Sequence, residues 1–227
     1  MLSAVFFYLS RNPQCYKRLA AEIRSVFQSD ADIRGGPRLA ECKYLRACID
    51  EALRMSPPVT GPLWRERAPA DEGGGEEPLV IDGHVIPTGT QIAVSIYSLH
   101  HNAEYFPGPF TFRPERWLEE SAAAREPAKK SMSDAFAPFL VGSRSCAGKA
   151  MAYLEVSLAL AKTLWYFDFE VAAGCHGDLG GGNPAMSGGR GRVDEFQLYD
   201  RFSAHHQGPN LMFYPRGNFS AESDMAT

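Results

Sequence analysis

At 227 residues, 44% hydrophobic and 22% charged, the chain has the composition of an ordinary globular protein and is long enough to bury a sizeable core. Its formal net charge of -4, with basic and acidic residues interleaved, excludes the strongly basic footprint of a nucleic-acid-binding domain. The five cysteines, Cys15, Cys42, Cys48, Cys146 and Cys175, form neither an even framework nor a C-x-x-C pair, which points to a reducing compartment.

The opening MLSAVFFYLSRNP has no basic start and no small-residue cleavage site, and its apolar run is too short to span a bilayer. It is predicted to be a helix that is apolar because it is buried. Asn12 as N-cap and Pro13 as first helical residue start a second helix, in which Tyr16, Leu19, Ile23 and Phe27 recur at helical spacing and mark a buried face. After the loop SDADIRGGPR a third helix is predicted over roughly Leu39 to Met55, stopped by the prolines of SPPVTGP.

From Leu63 to Ile96 the pattern changes to short strands, with turns at Asp82-Gly83 and Thr88-Gly89. HHNAEYFPGPFTFRPERW is aromatic- and proline-rich without periodicity, and reads as an ordered irregular segment. LEESAAAREPAKKSMSD reads as a solvated loop. A helix follows from Lys149 to about Tyr166, with Met151, Leu154, Leu158 and Trp165 on one side. GDLGGGNPAMSGGRGR lacks the lysine and the strand-to-helix context of a phosphate cradle and is predicted to be a flexible loop. GPNLMFYPR reads as a terminal strand before a mobile tail. The expected organisation is a helical region over 1–62, a β-rich region over 63–97, an irregular segment and loop over 98–138, a cysteine-bearing loop and helix over 139–170, a loop with terminal strands over 171–216 and a tail over 217–227.

Two constellations carry chemistry. In FLVGSRSCAG, Cys146 precedes a helix, whose unpaired N–H groups and positive dipole end stabilise a thiolate. Gly142 permits a tight turn before it, Gly148 lets another group approach the backbone, and Arg144 offers a cation to an anionic partner. An isolated cysteine is more often an inert core thiol, but these parts together suit an axial thiolate beneath a haem, with an arginine for a propionate. In YLRACIDEALRMSPP, Glu51 and Arg54 lie at i and i+3 on one helix face, and FRPERW supplies Arg116. Arginine forks can bridge a carboxylate bidentately, so the three side chains can form one ion-pair cluster.

These residues resemble motifs of the cytochrome P-450 (haem-thiolate monooxygenase) family. Phe139, Gly142, Arg144, Cys146 and Gly148 fill every position of its haem-binding loop, F-x-x-G-x-R-x-C-x-G. The resemblance implies haem b as cofactor, Cys146 as axial ligand of the iron, Phe139 shielding the sulfur and Arg144 on a propionate. Glu51 and Arg54 match the family's E-x-x-R helix and Arg116 its P-E-R-F-like segment, with Trp117 in place of phenylalanine. That triad is structural rather than catalytic. In VTGPLWRE the resemblance implies a substrate pocket at Val59, Thr60, Gly61 and Leu63. It also implies a propionate contact from Arg65, or else Arg67, although a surface arginine beside a proline-rich turn is the plain alternative.

The implied fold is α+β, mostly helical: the C-terminal portion of the cytochrome P-450 fold. Residues 1–11 resemble the end of the family's central helix, just past its A/G-G-x-D/E-T-T/S segment, and no such acid–alcohol pair occurs in the sequence. The catalytic residues are therefore unassigned, and the chain is expected to be a truncated gene product, a gene fragment or a degenerate paralogue. The implied function is insertion of one oxygen atom from O2 into a small apolar organic substrate, with an NADPH-dependent reductase as partner and no nucleic acid. SPPVTGPLWRE and DRFSAHHQGPNLMFYPR resemble fungal members that act on secondary metabolites. Alternatives are a non-catalytic haem-binding fragment and a peroxide-using or isomerising thiolate-haem enzyme. Full-length eukaryotic members usually sit on the endoplasmic reticulum membrane, facing the cytosol, by an anchor that these residues do not include. His100 and His101 lack companions at metal-ligand spacing, Cys42 and Cys48 read as core or near-surface thiols, and Asn218 opens a glycosylation sequon by letters only.

Overall fold

The computed structural model describes residues 1–69, 77–118 and 132–217. Helix α1 (Leu2–Arg11) buries Ala4, Val5, Phe7, Tyr8 and Leu9, so its apolar composition reflects packing. Helix α2 (Pro13–Val26) starts at the predicted proline and buries Leu19 and Ile23, with Phe27 at its end. Asn12, expected to cap α2, instead turns back: its Nδ2 donates to the Tyr8 carbonyl at 2.8 Å and closes α1. The two helices are nearly continuous, and the last carbonyls of α1 compete for the same side chain.

The predicted third helix is two. Helix α3 (Pro37–Glu41) ends at Cys42, and α4 (Lys43–Met55) begins directly after it. The break has a tertiary cause. Glu22, on α2, accepts from the backbone N–H of Tyr44 at 2.9 Å and of Leu45 at 2.8 Å. A carboxylate from another helix thus caps the first turn of α4, where free N–H groups and the dipole favour negative charge.

Strands β1 (Arg65–Glu66), β2 (Leu79–Ile81), β3 (His84–Ile86) and β4 (Gln91–Ile92) form two antiparallel pairs, β1 with β4 and β2 with β3. Asp82 at φ 49° and Gly83 at φ 77° make the tight turn between β2 and β3, the left-handed pair that a two-residue hairpin requires. The strand pattern was expected to reach Ile96, but Ile96 opens the short helix α5 (Ile96–His100). Ser95 caps it, accepting from the Ser98 N–H at 3.3 Å, and local capping outweighs the β propensity of Ile96 and Tyr97.

The long helix Lys149–Tyr166 has the predicted bounds but a different inner face. Tyr153, Val156, Leu160, Ala161 and Leu164 are buried, whereas Met151 and Leu154 are 64% and 44% exposed. A helix apolar on nearly all sides carries little pattern to orient it, and packing against α2 and α4 makes the choice. It leads into β5 (Phe167–Val171), which pairs antiparallel with the predicted terminal strand β6 (Leu211–Pro215). The glycine-rich loop is hydrogen-bonded on itself rather than open: Gly182 N–H donates to the Arg192 carbonyl at 2.9 Å, and Asn183 N–H to that of Arg190 at 2.8 Å. A side chain on Gly182 would strike those two carbonyls, and one on Gly181 the carbonyl of Val193.

Most of the predicted loop before Asp134, the tail and the Asn218 sequon lie outside the described residues; Met132–Ala135 forms one helical turn. Among the described residues no helix is long and apolar enough to cross a membrane. The core is one cluster gathered from α1, α2, α4 and the long helix, and it positions everything below.

Candidate functional site

Helix α4 carries Glu51 and Arg54 into the interior, where both are fully buried. The guanidinium of Arg54 grips the carboxylate bidentately, Nε to Oε2 at 3.0 Å and Nη2 to Oε1 at 2.9 Å. Arg116, 1% exposed, adds Nε to Oε1 at 3.1 Å. Two further donors were not foreseen from the sequence: Trp117 Nε1 reaches Oε2 at 3.0 Å and the Arg113 backbone N–H reaches Oε1 at 3.0 Å. An aromatic residue directly after the arginine pattern was the available signal, since indole adds an N–H donor that phenylalanine lacks.

The remaining guanidinium hydrogens turn outward to carbonyls of the irregular segment. Arg54 donates to Pro109 at 2.7 Å and to His100 at 3.0 Å, and Arg116 donates to Pro107 at 3.1 Å. A segment with no periodicity of its own thus has its backbone satisfied by two buried arginines. That is how a non-repetitive stretch stays ordered in a core.

The rings of His100 and His101 both bond to backbone groups, His101 through Nδ1 at 2.8 Å from the Tyr97 carbonyl. The His100 ring is fully buried: Nδ1 lies 3.2 Å from the Arg54 carbonyl, and the Ala137 N–H donates to Nε2 at 3.0 Å. Only the neutral Nδ1–H tautomer satisfies both contacts. Burial is the main cause that lowers the His100 pKa to about 3 and that of His101 to about 4. In the unfolded chain the ring takes a proton near pH 6.5, so the stability contributed by neutral His100 is complete above that pH and is lost as pH falls toward 3. The stability difference between the parent and His100→Gln is expected to shrink by about 1.6 kcal/mol between pH 6.5 and 5, the slope rising from about 0.7 toward about 1.4 kcal/mol per pH unit. Urea titrations at a series of pH values check this, and a constant difference would refute it.

The cysteine loop begins at Ala137, the residue pinned by His100. Leu140 at φ 61° and Gly142 at φ 72° are both left-handed, a conformation that costs leucine about 1–2 kcal/mol and glycine little. The reversed chain brings the Cys146 N–H to the Phe139 carbonyl at 2.8 Å, and Phe139 is partly buried against the core. Cys146 is exposed and stands three residues before the long helix, whose N-cap, Gly148, offers no side-chain acceptor. A side chain on Gly148 would meet Cys146 Sγ at an ordinary 3.8 Å, so the protein's own packing does not demand glycine there.

Beside this loop lies a cleft of about 900 Å³, walled by Leu63, Ile92, Val94, Leu99 and Leu140, with Arg65 and Arg144 both on it. Arg144 has no hydrogen-bond or ion-pair partner among the described residues, and Arg65 bonds only the neighbouring carbonyls of Leu63 and Trp64, at 3.4 and 2.9 Å. Arg67 is not part of its lining. The expected pocket residues separate. Leu63 lines this cleft, whereas Thr60 lines a smaller one of about 430 Å³ with Tyr97 and Phe196. Gly61 abuts the Asp200 carboxylate so closely that a side chain there would collide, and Val59 is half-buried. Spacing along an extended stretch could not separate these positions, because the neighbours arrive from the distant C-terminal segment.

The sequence profile described as cytochrome P-450 matches residues 1–177. The chain is similar to a cytochrome P-450 monooxygenase of Gibberella zeae, 43% identical over 215 residues that are 95% of this chain and 46% of the relative. It is similar to one of Alternaria alternata, 42% identical over 215 residues, 94% of this chain and 40% of that one. A third, of Gibberella fujikuroi, is 44% identical over 219 residues, 95% and 55% of the two chains. The chain spans about half the length of the curated relatives it matches.

Proposed function

Because the chain belongs to the cytochrome P-450 family, we propose that it supplies the thiolate ligand and a propionate-binding wall of a haem-thiolate monooxygenase. That enzyme inserts one oxygen atom from O2 into a small apolar organic substrate, a fungal secondary metabolite, with electrons from an NADPH-dependent reductase. One arrangement carries the reading: the loop that bears the exposed thiol of Cys146 also walls, from Leu140 to Arg144, a largely apolar cleft whose polar lining includes Asp82, Asp134 and two arginines that pair with no carboxylate among the described residues. Haem b is a flat apolar ring with two carboxylates and an iron that can take a thiolate, and this donor set would fit it.

Cys146 would be the axial ligand, with Phe139 against the sulfur and Gly142 and Gly148 giving clearance on either side. Arg65 and Arg144 would hold the propionates, while Leu63, Val94 and Leu140 would offer the ring an apolar wall. A thiolate-ligated haem, when bound, supplies the oxygen-activating chemistry. Val59, Thr60 and Gly61 would border the substrate side. Haem added to the purified chain is expected to give, after reduction under carbon monoxide, the strongly red-shifted Soret band of thiolate ligation. A bound haem with an ordinary, unshifted band would reject Cys146 as the ligand.

A further inference from the structure

A second carboxylate on α4, next to Glu51, reaches the cysteine loop from the other side. Successive helical residues point about 100° apart, so Asp50 faces the long helix while Glu51 faces the irregular segment. Asp50 is 8% exposed, and so is its partner Tyr153, whose hydroxyl donates to Asp50 Oδ1 at 2.6 Å. Arg46, one turn earlier, donates from Nε to Asp50 Oδ2 at 2.8 Å and lays its guanidinium 3.6 Å from the centre of the Tyr153 ring. The same ring also meets Phe139, with centroids 5.2 Å apart and the planes tilted by 49°. Phe139 is the residue whose carbonyl accepts the Cys146 N–H.

We propose that Asp50, Arg46 and Tyr153 are positioning residues for Cys146: they fix the tyrosine ring against Phe139, and so hold the carbonyl that orients the cysteine backbone. The loop needs such a clamp. It is exposed from Val141 to Gly148, has left-handed residues at Leu140 and Gly142, and touches the core chiefly through Phe139. The phenol–carboxylate bond is charge-assisted and shielded from water, the setting in which one hydrogen bond most restricts a side chain. The functional meaning of this clamp rests on the proposal that Cys146 is a haem ligand; the mechanical link does not.

The test therefore has two readouts. In the haem-free chain, access to the Cys146 segment is followed by exchange of its backbone N–H, which the Phe139 carbonyl protects, and by alkylation of the already exposed thiol, both relative to exposed Cys175. Tyr153→Phe keeps the ring and removes the bond, and is expected to raise the amide-exchange rate about tenfold and to change the alkylation ratio in the same direction. Tyr16→Phe removes a comparable phenol–carboxylate bond, to Asp168 at 2.5 Å, that does not touch the loop, and is expected to leave both at the parental value. Asp50→Asn keeps an oxygen for the phenol and should return both to within about twofold of the parent, whereas Asp50→Ala should match Tyr153→Phe. In the haem-loaded chain, Tyr153→Phe is expected to lose part of the red-shifted carbon-monoxide band at unchanged haem content. Equal exchange rates and alkylation ratios in the parent, Tyr153→Phe and Asp50→Ala would overturn the proposal, as would equal rises in Tyr153→Phe and Tyr16→Phe. A parental chain without the red-shifted band would reject the haem-ligand reading, while the exchange rates and alkylation ratios would still decide whether the clamp exists.

Discussion

Cys146→Ser is expected to abolish the thiolate Soret band of the reduced, carbon-monoxide-bound protein while leaving folding almost untouched. The side chain is exposed and outside the core, and the contact that shapes the loop is its backbone N–H to the Phe139 carbonyl, which serine retains. Substitutions at such sites usually change stability by no more than about 0.5 kcal/mol. Serine is a poor iron ligand at neutral pH because its hydroxyl stays protonated and its oxygen is a harder donor than the sulfur of cysteine. The two measurements belong together: a urea midpoint within error of the parent and a lost band. A retained red-shifted band in Cys146→Ser would remove Cys146 from the site.

Glu51→Ala is expected to have the opposite profile, a folding defect with no change to any group on the cleft. Removing the carboxylate leaves Arg54 and Arg116 as buried cations and deprives Trp117 Nε1 and the Arg113 N–H of their acceptor. Breaking a buried ion pair from one side costs about 3–5 kcal/mol. Against a total stability of about 5–15 kcal/mol, that is enough to unfold much of the population. A control sits on the surface. Arg38 and Asp32 pair at 3.6 Å with side chains 62% and 34% exposed, so Asp32→Ala should cost less than about 1 kcal/mol. Urea unfolding of both variants decides it: similar midpoints would mean that the buried cluster is not what orders the segment from His100 to Trp117. Glu51→Gln should remain destabilised, because its amide NH2 would face arginine and indole hydrogens.

The parts of the site that were legible in the sequence are those whose residues are close together along the chain. Glu51 and Arg54 share one helical turn, and the loop from Phe139 to Gly148 is ten consecutive residues, so spacing and residue type were enough to single them out. The parts that were not legible depend on residues far apart. Cys42 gave no sign that it separates two helices, because the cap on α4 is Glu22, from α2. Asn12 had the right residue type for an N-cap and serves the helix before it. Gly61 gave no sign that it also packs against Asp200, which arrives from the C-terminal segment.

The sequence by itself determined the family, the α+β class, the bounds of the helix Lys149–Tyr166 and the residues of the buried ion pair, and it singled out Cys146, because each is written in local periodicity or in a short motif. Only the tertiary structure decided which face of the helix Lys149–Tyr166 is inside, that Trp117 and Arg113 complete the Glu51 cluster, that Arg65 and Arg144 share one cleft, and that Asp50 reaches Phe139 through Tyr153. Periodicity records how many faces of an element are apolar, not which neighbour each face will meet, and a hydrogen bond between distant segments leaves no spacing to read.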